Sequence, residues 1–146
     1  MRLNKNHWVW TVTLILTVIL CAVILILHFK NWVGNDSESL KLRSGFYNVE
    51  IPYTELDSVV LVERIPPMVR LNGFSALDKE KGIFREFKDS LTNKRVHVFV
   101  DNISQQKVKL VYKDSANLFF NLKDSVETVE LFNDLTAKLN SVSISN

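Results

Sequence analysis

Hydrophobic and polar positions fall into three regimes along this chain. Residues 8–27 (WVWTVTLILTVILCAVILIL) are twenty consecutive residues without a formal charge. At about 1.5 Å per residue they reach across roughly 30 Å, the thickness of a bilayer's hydrocarbon. From Phe46 to Leu122 apolar residues alternate with polar ones, the spacing of half-buried strands. After Lys123 they recur at three and four residues, the stripe of an amphipathic helix. The order predicts one apolar helix, a run of strands and one closing helix.

The apolar run reads as a transmembrane helix. Its three threonines can return their hydroxyls to helix carbonyls, so no polar group is stranded in lipid. Trp8, Trp10 and Trp32 are the only tryptophans in the chain. They fall at the two ends of the run, with Phe29 beside the trailing one, as membrane-interface anchors do. Arg2 and Lys5 give a positive start, but the run exceeds the roughly 7–15 residues of a signal-peptide core and no small-x-small site follows, which predicts an uncleaved anchor. Cys21 follows Val18, Ile19 and Leu20, where a lipidation signal needs a small residue, so it reads as a lipid-facing structural cysteine. His7 and His28 bracket the run as interfacial polar residues. The nearest charges, Arg2, Lys5 and the free amino group ahead and Lys30 behind, favour an extracytoplasmic domain, while counting Lys41 and Arg43 makes the two sides equal at three each.

Residues 1–7 are a short flank, 8–29 the membrane helix, 30–44 a linker and 45–146 the domain. The linker (NWVGNDSESLKLRS after Lys30) has the composition of a solvated tether, with Leu40 and Leu42 alternating as at the start of a strand. Strands are expected over 46–51, over 58–64 with cover on both faces, over 83–88, over 95–100 with Val96, Val98 and Val100 on one side, and over 107–112 and 117–122. Asn72-Gly73 predicts a turn or bulge, 78–82 a polar connection, and 113–116 a hairpin turn. In the helix, Val126, Val129, Phe132, Leu135 and Leu139 form the stripe with Leu131 beside them. Asp124 and Glu127 are placed to cap its start. Strands followed by one helix make the class α+β: an antiparallel sheet or small barrel with a helix packed across it.

Charge removes some functions. From Lys30 onward sixteen basic residues meet sixteen acidic ones, which disfavours a nucleic-acid binder. One cysteine excludes an intramolecular disulfide framework and a cysteine-based zinc cluster. Four glycines in the whole chain leave no phosphate-cradling loop or dinucleotide fingerprint, and no cofactor is expected. His97 is the one histidine of the domain and shares a strand side with Arg95, Phe99 and Asp101, where a surface role outweighs that of a general base. Carboxylates stand singly or beside basic neighbours, as solvated ion pairs. No catalytic or metal-binding residue is assigned. The sharpest chemical feature is basic: Lys107, Lys109 and Lys113 on one strand face, with Lys94 and Arg95, could meet anionic lipid headgroups, although lysines on a strand's solvent side also guard edges against pairing.

From residue 45 to 139 the features resemble the bacterial pleckstrin-homology-like domain of small membrane proteins. Ile51-Pro52-Tyr53 with Leu56 and Val59-Val60-Leu61-Val62 is similar to the family's first strand, turn and second strand. Ile65-Pro66 followed by Arg70-Leu71-Asn72-Gly73-Phe74 is the most distinctive stretch, and Gly82-Ile83-Phe84-Arg85, Val98-Phe99-Val100, Tyr112, Asn121-Leu122 and the helix from Asp124 continue the match. The resemblance implies about seven strands in a strongly bent sheet capped by the carboxy-terminal helix, in a bacterial inner membrane, and it supplies no catalytic residues. Family members often carry more than one membrane span, whereas this chain has one. The leading expectation is a single-pass, non-enzymatic interaction module, anchored in the bilayer through residues 8–29, with a protein partner or a second copy of itself. Anionic-lipid binding through the basic face is the alternative, and an enzyme or small-ligand binder using His97 and Asp101 comes third.

Overall fold

The computed structural model describes residues 6–87, 94–113 and 115–144. Helix α1 spans Asn6–Phe29. Thr11, Thr13 and Thr17 each donate a hydroxyl hydrogen bond at 2.9 Å to the carbonyl four residues back, which removes the polar cost of an all-apolar surrounding. Its large apolar side chains are exposed along the length of the helix, and residues 7–27 are long and apolar enough to cross a membrane.

Among the described residues nine strands follow where about seven were expected, β1 (Asn31–Asn35), β2 (Ser39–Ser44), β3 (Tyr47–Pro52), β4 (Leu56–Val62), β5 (Met68–Ala76), β6 (Lys79–Glu86), β7 (Val96–Val100), β8 (Lys107–Tyr112) and β9 (Ala116–Phe120), and then helix α2 (Ser125–Ile144). The class is α+β. The strands make two sheets, one ordered β1-β2-β3 and one ordered β4-β8-β9-β7-β6-β5, and neither closes into a barrel.

The expected tether is the first difference. Residues 31–35 and 39–44 are paired strands, with Asn31 opposite Ser44 and Asn35 opposite Leu40. Leu40 and Leu42 are fully buried, and burying them outweighs the solvating tendency of the polar residues between them. A second difference lies in the large sheet, where β7 and β9 run parallel, Val98 opposite Phe119. Alternation reports which side a residue faces and carries nothing about which strand lies alongside, so an all-antiparallel expectation had no means of finding this pair. Residues 79–82, read as a polar connection, belong to β6, because the hairpin closes within two residues between Ala76 and Lys79.

The main core lies between the two sheets and α2. Leu40, Leu42, Val49 and Ile51 meet Phe99, Val108, Leu110, Leu118 and Phe120, with Leu135 of α2 fully buried among them. The opposite face of the large sheet buries Phe84, Val96, Val98, Val100 and Phe119 against Val62, Ile65 and Met68. Its curl has a covalent cause: β4 and β5 are the two edges, yet only residues 63–67 join them. Six steps of chain reach about 20 Å, while six flat strands place their outer members about 24 Å apart.

Central β7 is therefore buried on both sides, and Phe99 and Asp101 are as inaccessible as the valines. Edge strand β4 is less covered than its apolar run predicts, with Val60 47% exposed. On α2 the buried stripe is Thr128, Leu131, Phe132, Leu135, Leu139 and Val142, while Val126 and Val129 are exposed. The first turn is turned by its cap: Asp124 accepts the Val126 N–H at 2.7 Å, and the Thr128 hydroxyl accepts the Leu122 N–H at 3.1 Å. That inward role belongs to Thr128, which rotates the flanking valines outward.

Candidate functional site

The chain leaves α1 and enters the domain at Asn31, and the densest polar cluster is built around that residue. β1 starts here, β7 and β9 end here, and β6 and β8 start here, as their pairings require. This α1 end of the domain gathers side chains from five elements.

Asp101, which is fully buried, is the centre. One carboxylate oxygen accepts the Asn31 backbone N–H at 2.9 Å, and the other lies 2.7 Å from the Lys81 ammonium. Lys81 and Asp101 are 1% and 0% exposed. Asn31 donates its side-chain amide to the carbonyls of Phe99 and Asn121, at 2.6 and 2.9 Å. Asn121 completes the ring: its amide oxygen accepts the N–H groups of Asp101 and Asn102, at 2.8 and 3.1 Å, and its amide nitrogen donates to the carbonyls of Asn102 and Gln106, at 2.6 and 3.2 Å. These bonds pair most of the polar groups that burial takes from water, while Asn31 Oδ1 is buried without a hydrogen-bond partner.

Two more lysines fasten the loops around the centre. Lys79 donates to the Asp101 carbonyl at 3.0 Å and holds its ammonium 5.6 Å from the centre of the Phe29 ring, so it touches both helix and domain. Lys107 donates to the carbonyls of Glu63, at 2.8 Å, and Ile103. Burial pushes the Lys81 ammonium below its ordinary value, and the hydrogen bond and charge of Asp101 act against that shift. Lys107 is pushed down by burial as well. Chemically the arrangement is a clamp, with the Asp101 carboxylate enclosed and its oxygens directed at Asn31 and Lys81.

Sequence-selected residues are distributed otherwise. Lys107 is 2% exposed, so it is no part of a solvent-facing basic strand; the alternation rule placed it outward, but its long stem bends inward to carbonyls that need a donor. Lys109 is half-buried, 5.8 Å over the Phe119 ring. Lys113 is exposed and 3.4 Å from Glu55. Lys94 is exposed and donates to the Ser115 hydroxyl at 2.9 Å, and Arg95 is exposed beside it. Lys94, Arg95 and Lys113 share the end of the sheet opposite to Asn31, one strand length or about 16 Å away. The five residues do not form one patch.

His97 is half-buried where a surface residue was expected, its ring 5.9 Å from that of Phe99 and its Nδ1 buried with no hydrogen-bond partner. Burial lowers its pKa below the ordinary 6.5, and the charge of Arg95 lowers it further. Four residues of extended strand hold it about 13 Å from Asp101, too far for the two to act together. Among the described residues no group of three or more His, Cys, Asp or Glu is placed to hold a metal ion.

At the α1 boundary, Trp8, Trp10, Phe29 and Trp32 are all at least half exposed, and the Lys30 ammonium lies 5.5 Å over the Trp32 ring. Asn31, Lys81 and Asn121 were not picked out for any site. The signal was present only for Asp101, a carboxylate on the same strand side as a core phenylalanine. Its partner comes from a strand twenty residues earlier, and nothing local points to it. Compared with family models, curated proteins and solved structures, the chain matches none.

Proposed function

We propose that this chain is a single-pass membrane protein whose domain binds an extended segment of a partner protein, without catalysis of its own. The observation that carries the reading is β5. It is nine residues long, forms one edge of the large sheet, and pairs only with β6 among the described strands. Seven of its nine residues are exposed, Val69 and Leu71 among them at 38% and 48%. Such an edge offers unpaired backbone donors and acceptors to an incoming strand, with alternate side chains for selectivity. The clamp at Asn31 supports the same reading, because it holds the edge in a fixed relation to the anchor.

A partner segment fits better than a second copy in the same bilayer. Two copies joined by an antiparallel β5 pair are related by a twofold axis across the strands. With β5 running from the far end to the α1 end, that axis sends the two anchors in opposite directions. A pleckstrin-homology-like identity is part of the proposal, supported by the curled sheet and the closing helix, as is residence in a bacterial inner membrane with the domain outside the cytoplasm. The headgroup-binding reading loses support, since its basic residues stand at the end away from the anchor or are buried.

A photo-crosslinking residue at Leu71 of the full chain in native membranes, with one at the exposed Asn133 of α2 as control, tests the proposal. Capture of a protein at position 71 and not at 133 is expected. Recovery of monomer alone, or equal capture at both positions, overturns it.

A further inference from the structure

Two hairpins end beside Asn31, and their turns differ in one respect. The β2–β3 turn has two residues, and Gly45 leads it with φ 60. The β5–β6 turn also has two, yet its first position is Leu77, with φ 57. Glycine adopts this left-handed conformation freely; leucine does so at a cost. Leu77 is also 93% exposed, so neither backbone nor packing against the domain accounts for it. A strained, fully presented apolar side chain points to something outside the domain that receives it.

Its surroundings identify the receiver. Phe74, Ala76, Leu77 and Lys79 line one cleft of about 300 Å³ together with Leu25 and Phe29 of α1. Leu25 belongs to the uncharged run of residues 8–27. With that run filling the hydrocarbon, Leu25 lies about 3 Å inside its edge. The hairpin tip is thus level with the last turn of the anchor. Lys79 borders the cleft with its amine turned to the Asp101 carbonyl, and Asp78 holds its carboxylate 3.9 Å from that amine, so the tip carries no net charge to headgroup depth. Phe46, 80% exposed in the neighbouring turn, stands at the same end of the domain. Gly73 and Gly82 let β5 and β6 approach closely below this tip: a Cβ on Gly73 would meet the Lys81 carbonyl oxygen at 2.1 Å.

We infer that the β5–β6 hairpin tip enters the bilayer at the boundary of headgroups and acyl chains, with Leu77 in the acyl region and the cleft beside Phe29 filled by a phospholipid chain. The domain is then held to the membrane at two points, the anchor and the tip. This rests on the reading of α1 as a membrane anchor.

The test uses the full chain in vesicles of phosphatidylcholine and phosphatidylglycerol, labelled at single cysteines with an environment-sensitive fluorophore. Native Cys21 reports the anchor. Leu77→Cys and Thr54→Cys, each with Cys21→Ser, report the tip and the exposed far end. Expected are quenching of the label at 77 by lipid with a nitroxide high on its acyl chain, and quenching by aqueous iodide several-fold weaker than at 54. Equal iodide quenching at 77 and 54, with Cys21 shielded in lipid, overturns the inference and leaves the anchor standing. A water-exposed Cys21 overturns both.

Discussion

Lysine does opposite things at the two ends of this domain. At the α1 end Lys79, Lys81 and Lys107 are withdrawn from water and used as donors to a carboxylate and to loop carbonyls. At the far end Lys113 sits 57% exposed beside Glu55, and Lys94 reaches only a hydroxyl. Coulomb attraction grows several-fold as the surrounding medium changes from water to protein, and so does the penalty for a missing partner. The α1 end is therefore where a single side chain carries much of the local structure. It is also the end at which the chain passes from α1 into the domain, at Asn31.

Removing the centre of the clamp gives the largest expected effect. Asp101→Ala strands the Lys81 charge and the Asn31 N–H in the interior and is expected to cost about 3–5 kcal/mol, read as a lowered denaturant midpoint. The pair Lys81→Met with Asp101→Leu is expected to recover part of that loss, the remainder belonging to Asn31. A loss no larger than that of a far-end lysine would erase the distinction between the two ends.

Next comes the hairpin. Gly73 and Gly82 have φ of 122° and 152°, and a Cβ on Gly82 would lie 2.1 Å from the Asn72 carbonyl oxygen. Gly82→Ala is expected to cost at least about 1–3 kcal/mol from backbone strain, with the clash adding to it. Unfolding by denaturant measures the loss, and hydrogen exchange tests whether opening is confined to β5 and β6.

His97, near the far end of β7 but half-buried, gives a smaller and conditional effect. Its folded pKa lies below the unfolded value of 6.5, so the unfolded chain binds the proton more readily. The stability it contributes is present above about pH 6.5 and is lost as pH falls through the folded value. His97→Gln should flatten the fall in thermal midpoint over that window relative to the unaltered chain; parallel profiles would show the ring to be as solvated as the far end.

Smallest is Lys113→Ala, expected to cost no more than about 1 kcal/mol, as exposed ion pairs do. A cost near that of Asp101→Ala would mean that both ends are held alike.

Much of this fold was legible because it follows from local spacing. The twenty-residue uncharged run is α1 in all but its ends, the valines of β7 do share a side, and Gly73 does lie beside the register shift in β5. The closing helix begins at its Asp124 cap. What was illegible depended on neighbours. A polar composition over residues 31–44 concealed two strands, because burial of Leu40 and Leu42 is decided by a sheet assembled from elsewhere in the chain. The side of β8 facing the core was legible in Val108, Leu110 and Tyr112, but whether Lys107 meets water or the carbonyls of Glu63 and Ile103 depends on loops that only the fold brings there.

The sequence by itself determined the long apolar helix, the two faces of most strands and the closing helix, since a period of two or 3.6 residues is a property of the chain's own geometry. Only the tertiary structure decided strand order, the parallel β7–β9 pair and the union of Asn31, Lys81, Asp101 and Asn121. Those contacts join positions up to ninety residues apart, and their worth comes from exclusion of water, a property of the assembled domain.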